Sequence, residues 1–159
     1  MIDARDLVGA FARNLSVVKA QTEGLTHADS LMQFPNGNCL NWVIGHIVEG
    51  RDDMLEVLGE PRAAGPAVER YQRGSEPVAG EEERVLPLAQ LLELLEQSQE
   101  RIEIALSHIE PSALARKSAD DPRGRSIGQR IFFLYFHETY HVGQTELFRQ
   151  LAGKDDKLI

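Results

Sequence analysis

The sequence predicts an all-α protein: a four-helix bundle with a long connection between its second and third helices. Three observations lead there. Apolar residues recur at steps of three and four in four separate stretches. Turn and helix-end residues separate those stretches. No run shows the strict alternation of a half-buried strand. Four amphipathic helices of roughly 20 residues each must bury one apolar side, and a shared core does this for all of them.

In the first stretch Leu7, Phe11, Leu15 and Val18 lie on one helical face, with Asp3 as N-cap and Asp6 three residues on. It ends near Gly24. Residues 24–38, with Pro35, Asn36, Gly37 and Asn38, carry turn chemistry. The second stretch runs from near Cys39 to about Gly59, with Leu40, Ile44, Ile47, Leu55 and Leu58 as its stripe and Asn38 as its expected cap. Gly59 followed by Pro61 stops it. Residues 60–86 carry three prolines and three glycines and no periodicity. A connection of that length is either a passive surface link or a cover over a site. Pro87 opens the third stretch at a first helical position. Leu88, Leu91, Leu95, Ile102, Leu106 and Ile109 give the cleanest stripe, Glu93, Glu96, Glu100 and Glu103 form a solvated face, and Pro111 ends it. In the fourth, Ser126 and Gln129 match a capping box, and the helix runs to Leu151 or Ala152 before Gly153.

The chain of 159 residues is read as a single domain, 1–159. Its 17 Lys and Arg against 25 Asp and Glu give a net charge of −8, which argues against nucleic acid and anionic membrane surfaces as partners. Its only cysteine, Cys39, allows no intrachain disulfide, which fits a reducing compartment. Charges fill the first six residues, and neither a signal-peptide run nor a span of ~20 apolar residues follows. A cytoplasmic location is the expectation.

The chemistry concentrates on histidines. His137 and His141 lie four residues apart, so their rings project from one face of the last helix. The inward stripe there reads Leu134, His137, His141, Phe148, Leu151. An imidazole on a core face needs a partner, because leaving it without one costs ~1–3 kcal/mol. His46 shares a helix side with Val43 and Cys39, and Gly45 and Gly50 flank it, which suggests close packing or a ligand's close approach. Taken singly, each histidine reads as well as a hydrogen-bonded core residue. Together, three imidazoles from two helices would hold a divalent ion and leave a coordination position open, as in catalytic zinc sites. Nickel, cobalt and iron accept the same donors. Cys39 is a lesser candidate for a fourth ligand. His27 and His108 read as ordinary exposed residues, and Trp42 and Tyr140 as packing residues.

Residues 137–141, His-Glu-Thr-Tyr-His, also satisfy the zinc-protease pattern, in which the glutamate is the general base. No histidine follows His141, the acids Glu146, Asp155 and Asp156 lie close by or in the tail, and no strand is predicted to hold a peptide. A peptidase is therefore a poor reading.

The segment Leu40-Asn41-Trp42-Val43-Ile44-Gly45-His46-Ile47 resembles the second-helix motif of the DinB-like (YfiT-like) superfamily. The segment from His137 to Gln144 resembles its last-helix motif, His-x-x-x-His followed by Gly-Gln. The resemblance spans essentially the whole chain. It implies a divalent metal, zinc or nickel first, held by His46, His137 and His141, and often a homodimer. Relatives assigned activities include S-transferases and isomerases that use low-molecular-weight thiols, and others are described as metal-dependent hydrolases.

The function expected is accordingly a metal-dependent enzyme acting on a small molecule, most simply a thiol-dependent S-transferase in which the metal acidifies a small thiol. The alternatives are a hydrolase using metal-held hydroxide and a non-catalytic small-molecule-binding bundle. Glu138 is the expected base or partner to a ligand, and Gln144, one turn past His141, the expected hydrogen-bonding group for a cofactor or a neighbouring helix. Arg62, Arg70, Arg73 and Arg84 on the long connection are candidates for meeting an anionic thiol.

Overall fold

The protein is described by a computed structural model over residues 3–35, 37–119 and 121–154; Asn36, Asp155 and Asp156, named above, lie outside these. Four long helices, α1 (Ala4–Thr22), α3 (Leu40–Val57), α4 (Leu88–Ser107) and α6 (Ile127–Leu151), form the expected all-α bundle. Isolated bridges pair Gln33 with Cys39 and Lys117 with Ser126, and no strand forms among the described residues. No described helix is long and apolar enough to cross a membrane.

The expected caps explain two helix starts. Asp3 accepts from the Asp6 N–H while the Asp6 carboxylate accepts from the Asp3 N–H, and Ser126 and Gln129 do the same for α6. Other ends differ from expectation. Cys39, not Asn38, is the N-cap of α3, and the Asn38 amide oxygen is buried without a partner among the described residues. Pro87 caps α4 rather than starting it, and α4 stops at Ser107, before Pro111. Pro111 instead opens a short helix, α5 (Pro111–Ala115), where its missing N–H costs nothing. Two other segments read as irregular are partly helical: α2 (His27–Ser30), with a Thr26–Asp29 capping box, and the 3₁₀ helix η1 (Gly65–Tyr71).

Consecutive helices do not all pack together. Around the bundle the order is α1, α4, α3, α6, so α1 and α3 occupy one diagonal and α4 and α6 the other. A diagonal step needs a long link, and the Glu23–Cys39 and His108–Ser126 segments supply it. The adjacent pair α3 and α6 carries His46 on one member and His137 and His141 on the other.

The core is two apolar clusters, one around Leu40, Ile44, Ile47, Leu91 and Leu95, the other around Leu7, Phe11, Leu55, Ile102 and Ile131. Polar residues lie buried where each helix's apolar stripe is interrupted: Asn14 on α1, Arg51 on α3, Ser98 and Gln99 on α4, Glu138 on α6. Arg51, at 1% exposure, bonds to all three other long helices. It donates to the Phe11 carbonyl, the Leu95 carbonyl, Ser98 Oγ and both carboxylate oxygens of Glu138, the last at 2.9 and 2.8 Å. With its charge paired and five hydrogen bonds made, the guanidinium can remain in the core, whereas either partner alone would be a costly buried charge.

Candidate metal centre

His46 lies on α3 at the edge of the core, 4% exposed. Its position is set from both sides. Gly45, just before it, is where the Tyr71 ring lodges: a Cβ there would stand 2.3 Å from Tyr71 Cγ, so only glycine fits. The Tyr71 hydroxyl donates to Asn41 Oδ1 and accepts from the Leu86 N–H, fixing the 60–86 segment against α3. The Tyr71 carbonyl in turn lies 2.8 Å from His46 Nδ1. A carbonyl only accepts, so Nδ1 carries the proton and Nε2 keeps its lone pair. Trp42 covers the ring's other side, stacked at 4.7 Å between centroids, with its indole N–H donating to Ser75 Oγ. Gly50, paired with Gly45 in the sequence reading, has nothing within 4 Å of a Cβ position and carries no such constraint.

The two α6 histidines meet this ring edge-on, each with its centroid 5.0 Å away. His141 Nδ1 lies 2.8 Å from Gln144 Oε1, an acceptor, which leaves its Nε2 unprotonated as well. That Nε2 lies 3.2 Å from His137 Nε2. Two lone pairs do not face each other at this distance without a proton or a cation between them. One ligating nitrogen from each of His46, His137 and His141 falls within 4.8 Å of the others. Nitrogens this close can all reach one ion bound at ~2.0–2.1 Å, and a protein acceptor on the far ring nitrogen is the usual support for a ligating imidazole. The donor set therefore fits a divalent metal. Burial holds all three imidazoles below their ordinary pKa, His46 to about 4. At neutral pH the three rings are therefore uncharged, the form in which an imidazole binds a metal.

The stripe expected on α6 is corrected in part. Its buried line is Ile131, Glu138, Val142, Thr145, Phe148 and Arg149, so of the expected stripe Phe148 is buried as expected, while the two histidines are half-buried on its flank, facing the bundle's edge rather than its centre. Glu138, expected as a base, points the other way. It is 4% exposed, and both of its oxygens are taken by Arg51. A helix turns ~100° per residue, so the neighbour of a ligand faces a different direction. Gln144, expected as a cofactor contact, instead bonds to His141. Cys39 is fully buried in the apolar cluster, outside the imidazole group, and burial raises its thiol pKa. Tyr140, expected to pack, is 63% exposed, with its ring edge-on to that of His141 at 5.4 Å between centroids. His27 opens α2, half-buried, and its Nδ1 accepts from the Leu88 N–H. His108 is exposed as expected.

Sequence reasoning missed Arg51, Tyr71 and Glu49. Arg51 had a signal, since it falls one turn after Ile47 and one before Leu55, inside the apolar stripe of α3. Glu49 has its carboxylate 3.7 Å from His46 Nδ1, and burial raises its pKa to about 7. Tyr71 had no local signal, because its role depends on the path of a connection without periodicity.

A model of the DinB superfamily matches residues 5–145. The crystal structure of a conserved protein from Enterococcus faecalis shares the fold, with a TM-score of 0.74 at 14% identity, over 96% of this chain and 98% of that one. No curated protein matches the chain.

Proposed function

Because this chain belongs to the DinB superfamily, we propose that it is a divalent-metal protein whose ligands are His46, His137 and His141, and that it acts as a thiol-dependent S-transferase on a small molecule. The observation that supports this is the meeting of three ring nitrogens within 4.8 Å, two of them on rings whose far nitrogen is held by an acceptor. Bound there, a divalent ion supplies Lewis acidity that favours the thiolate form of a coordinated thiol at neutral pH. The chain's own residues do the rest. The Tyr71 carbonyl and Gln144 fix the tautomers and ring angles of His46 and His141. Trp42 keeps water off one face of His46. The Arg51–Glu138 pair sets the rotation of α6 against α3, and with it the distance between the two halves of the site. In the transfer the thiol's proton goes to solvent, a sulfur–carbon bond forms, and the leaving group departs with the bonding pair.

The hydrolytic alternative is less well supported. Its expected base, Glu138, is bound on both oxygens within the core. The test is spectroscopic and chemical together. Cobalt-loaded protein is expected to develop a sulfur-to-metal charge-transfer band on adding 2-mercaptoethanol, and to speed that thiol's alkylation by a small electrophile. A cobalt spectrum unmoved by thiol, with no acceleration, would refute the assignment.

We also propose that the protein is a homodimer joined along α6. Phe133, Phe136, Tyr140 and Leu147 are exposed on one outer strip of that helix, at steps of three, four and seven, with exposed Gly143 in the gap. That is the spacing of a helix–helix seam.

A further inference from the structure

The three histidines stand at one end of a seam between α3 and α6, and the seam continues past them. On α3, His46, Gly50, Asp53 and Val57 follow at steps of four, three and four, along one side of the helix. On α6, His141, His137, Leu134, Arg130 and Ile127 do the same in the opposite chain direction. The two helices pack on each other, and at the far end Asp53 and Val57 share a cavity of about 680 Å³ with Arg130 and Ile127. Asp53 lies seven residues beyond His46, which is ~10.5 Å along the helix axis.

Between these ends the seam is open on its α3 side. Gly50 is half-buried, yet nothing stands within 4 Å of its Cβ position. The other glycines of the long helices differ: Gly45 and Gly128 are pressed on by neighbours, and Gly9 and Gly143 are exposed. A glycine inside a helix is less stable than an alanine, and at position 50 the fold's own packing does not require one. Its effect is to keep a passage of side-chain width one turn from His46. The cavity at the far end carries charge of both signs. Asp53 and Glu56 line its α3 wall, and Arg116, Lys117 and Arg130 the wall opposite. Asp53 is paired with Arg62 at 3.0 Å, and Arg130 donates to Ser118 Oγ at 3.0 Å. Among the described residues the side chains of Glu56, Arg116 and Lys117 have no hydrogen bond or ion pair, so one acid and two bases face each other across the space. Of the arginines expected to meet an anionic thiol, Arg62, Arg70 and Arg84 are instead paired with Asp53, Glu82 and Glu69, and Arg73 is exposed.

We infer that the thiol entering the metal site is elongated and ends in an amino-acid head group, which sits in the cavity between Asp53 and Arg130 while the sulfur lies at the imidazoles. This deepens the function proposed above and rests on it. The body of the molecule passes between Gly50 and Leu134, so Gly50 sets what can reach the far end without touching the metal. In the cavity the ammonium meets Glu56 and the carboxylate meets Arg116 and Lys117. A head with only a negative charge would leave the acidic wall unmatched, and one with only a positive charge the basic wall. A zwitterion matches both at once, at the ~10 Å separation from His46 that the helix sets.

The probes are γ-glutamylcysteine and N-acetylcysteine, which share the thiol and its neighbouring carboxylate and differ in the head group. Their affinities for cobalt-loaded protein are measured by calorimetry. Wild type is expected to bind γ-glutamylcysteine about tenfold more tightly than N-acetylcysteine, with N-glutarylcysteine, which lacks the ammonium, in between. That ratio should fall to about one in the double variant Arg116→Ala, Lys117→Ala and in Gly50→Leu, and keep its wild-type value in Lys19→Ala, a charge change on α1. Equal affinity of the wild type for the two thiols, or a preference that survives the double variant or a folded Gly50→Leu protein, overturns the inference. N-glutarylcysteine bound as tightly as γ-glutamylcysteine overturns the amino-acid head. If neither thiol moves the cobalt spectrum, the proposed function falls. The head group's site is then decided on metal-free protein with γ-glutamyl-S-methylcysteine, whose binding should weaken about tenfold in the double variant. Equal binding by wild type and the double variant there, or none by either, overturns the inference as well.

Discussion

Arg51 and Glu138 form an ion pair 2.8 Å apart with side chains only 1% and 5% exposed, so removing one partner strands the other's charge in the core. Replacing Glu138 by Gln keeps the shape and removes the charge, leaving a buried guanidinium uncompensated. The expected loss is about 3–5 kcal/mol in urea unfolding, and the double variant Arg51→Met, Glu138→Leu should recover much of it. A Glu138→Gln protein of wild-type stability that has lost transfer activity would restore the glutamate to the role the sequence first suggested. His46 makes a second prediction, in pH. Its folded pKa lies at about 4, below the ordinary 6.5. Between those values the unfolded chain binds the extra proton, so the stability that depends on the neutral ring is complete above 6.5 and is lost as pH falls toward 4. Glu49, raised to about 7 by burial, acts with the opposite sign, its contribution being lost as pH rises toward 7. Because Glu49 is common to both proteins, comparing metal-free wild type with His46→Asn isolates the ring. The wild type's unfolding free energy minus the variant's should climb from pH 4 to pH 6.5 and then level off. A difference independent of pH would contradict the assignment.

Two glycines of α3 that look alike in sequence should behave oppositely. Gly45→Ala drives a methyl into the Tyr71 ring, which is pinned by Asn41 and Leu86 and cannot retreat. It should cost about 1–3 kcal/mol and also weaken metal binding, because the carbonyl that orients His46 belongs to the displaced residue. Gly50→Ala meets nothing, and should gain up to ~1 kcal/mol from helix propensity. Equal effects in thermal melts would refute this reading of the site. The contrast marks what a sequence discloses. The four long helices, the caps at Asp3 and Ser126 and the three histidines were legible, because each is a local pattern of spacing or residue type. The partner of Gly45 was not, since it comes from the 60–86 connection, where position is set by tertiary contacts. The inward face of α6 is only partly legible: Phe148 is buried as its spacing predicts, but the polar Glu138 and Thr145 are buried as well, Glu138 satisfied by Arg51 of α3 and Thr145 by the Val142 carbonyl.

At the scale of the whole molecule, the bundle's order explains why the site forms. With α1 and α4 closing the other side of the ring, α3 and α6 become neighbours despite the 69 residues that lie between Val57 and Ile127. Long diagonal links permit this arrangement, and the polar layer around Arg51 fixes it. The outward strip of α6 predicts association. Phe136, 61% exposed, should convert a dimer into a folded monomer when replaced by Glu, as read by sedimentation velocity. A wild type that is monomeric throughout would remove the dimer proposal. The most direct test of the account is metal content, measured by elemental analysis on protein purified without a metal-affinity tag. Wild type is expected to carry close to one divalent ion per chain. His46→Ala, His137→Ala and His141→Ala should each lose it while keeping the helical circular-dichroism spectrum. Metal retained by all three variants, or a wild type that takes up none even when it is supplied, would contradict the convergence of the three imidazoles on one ion.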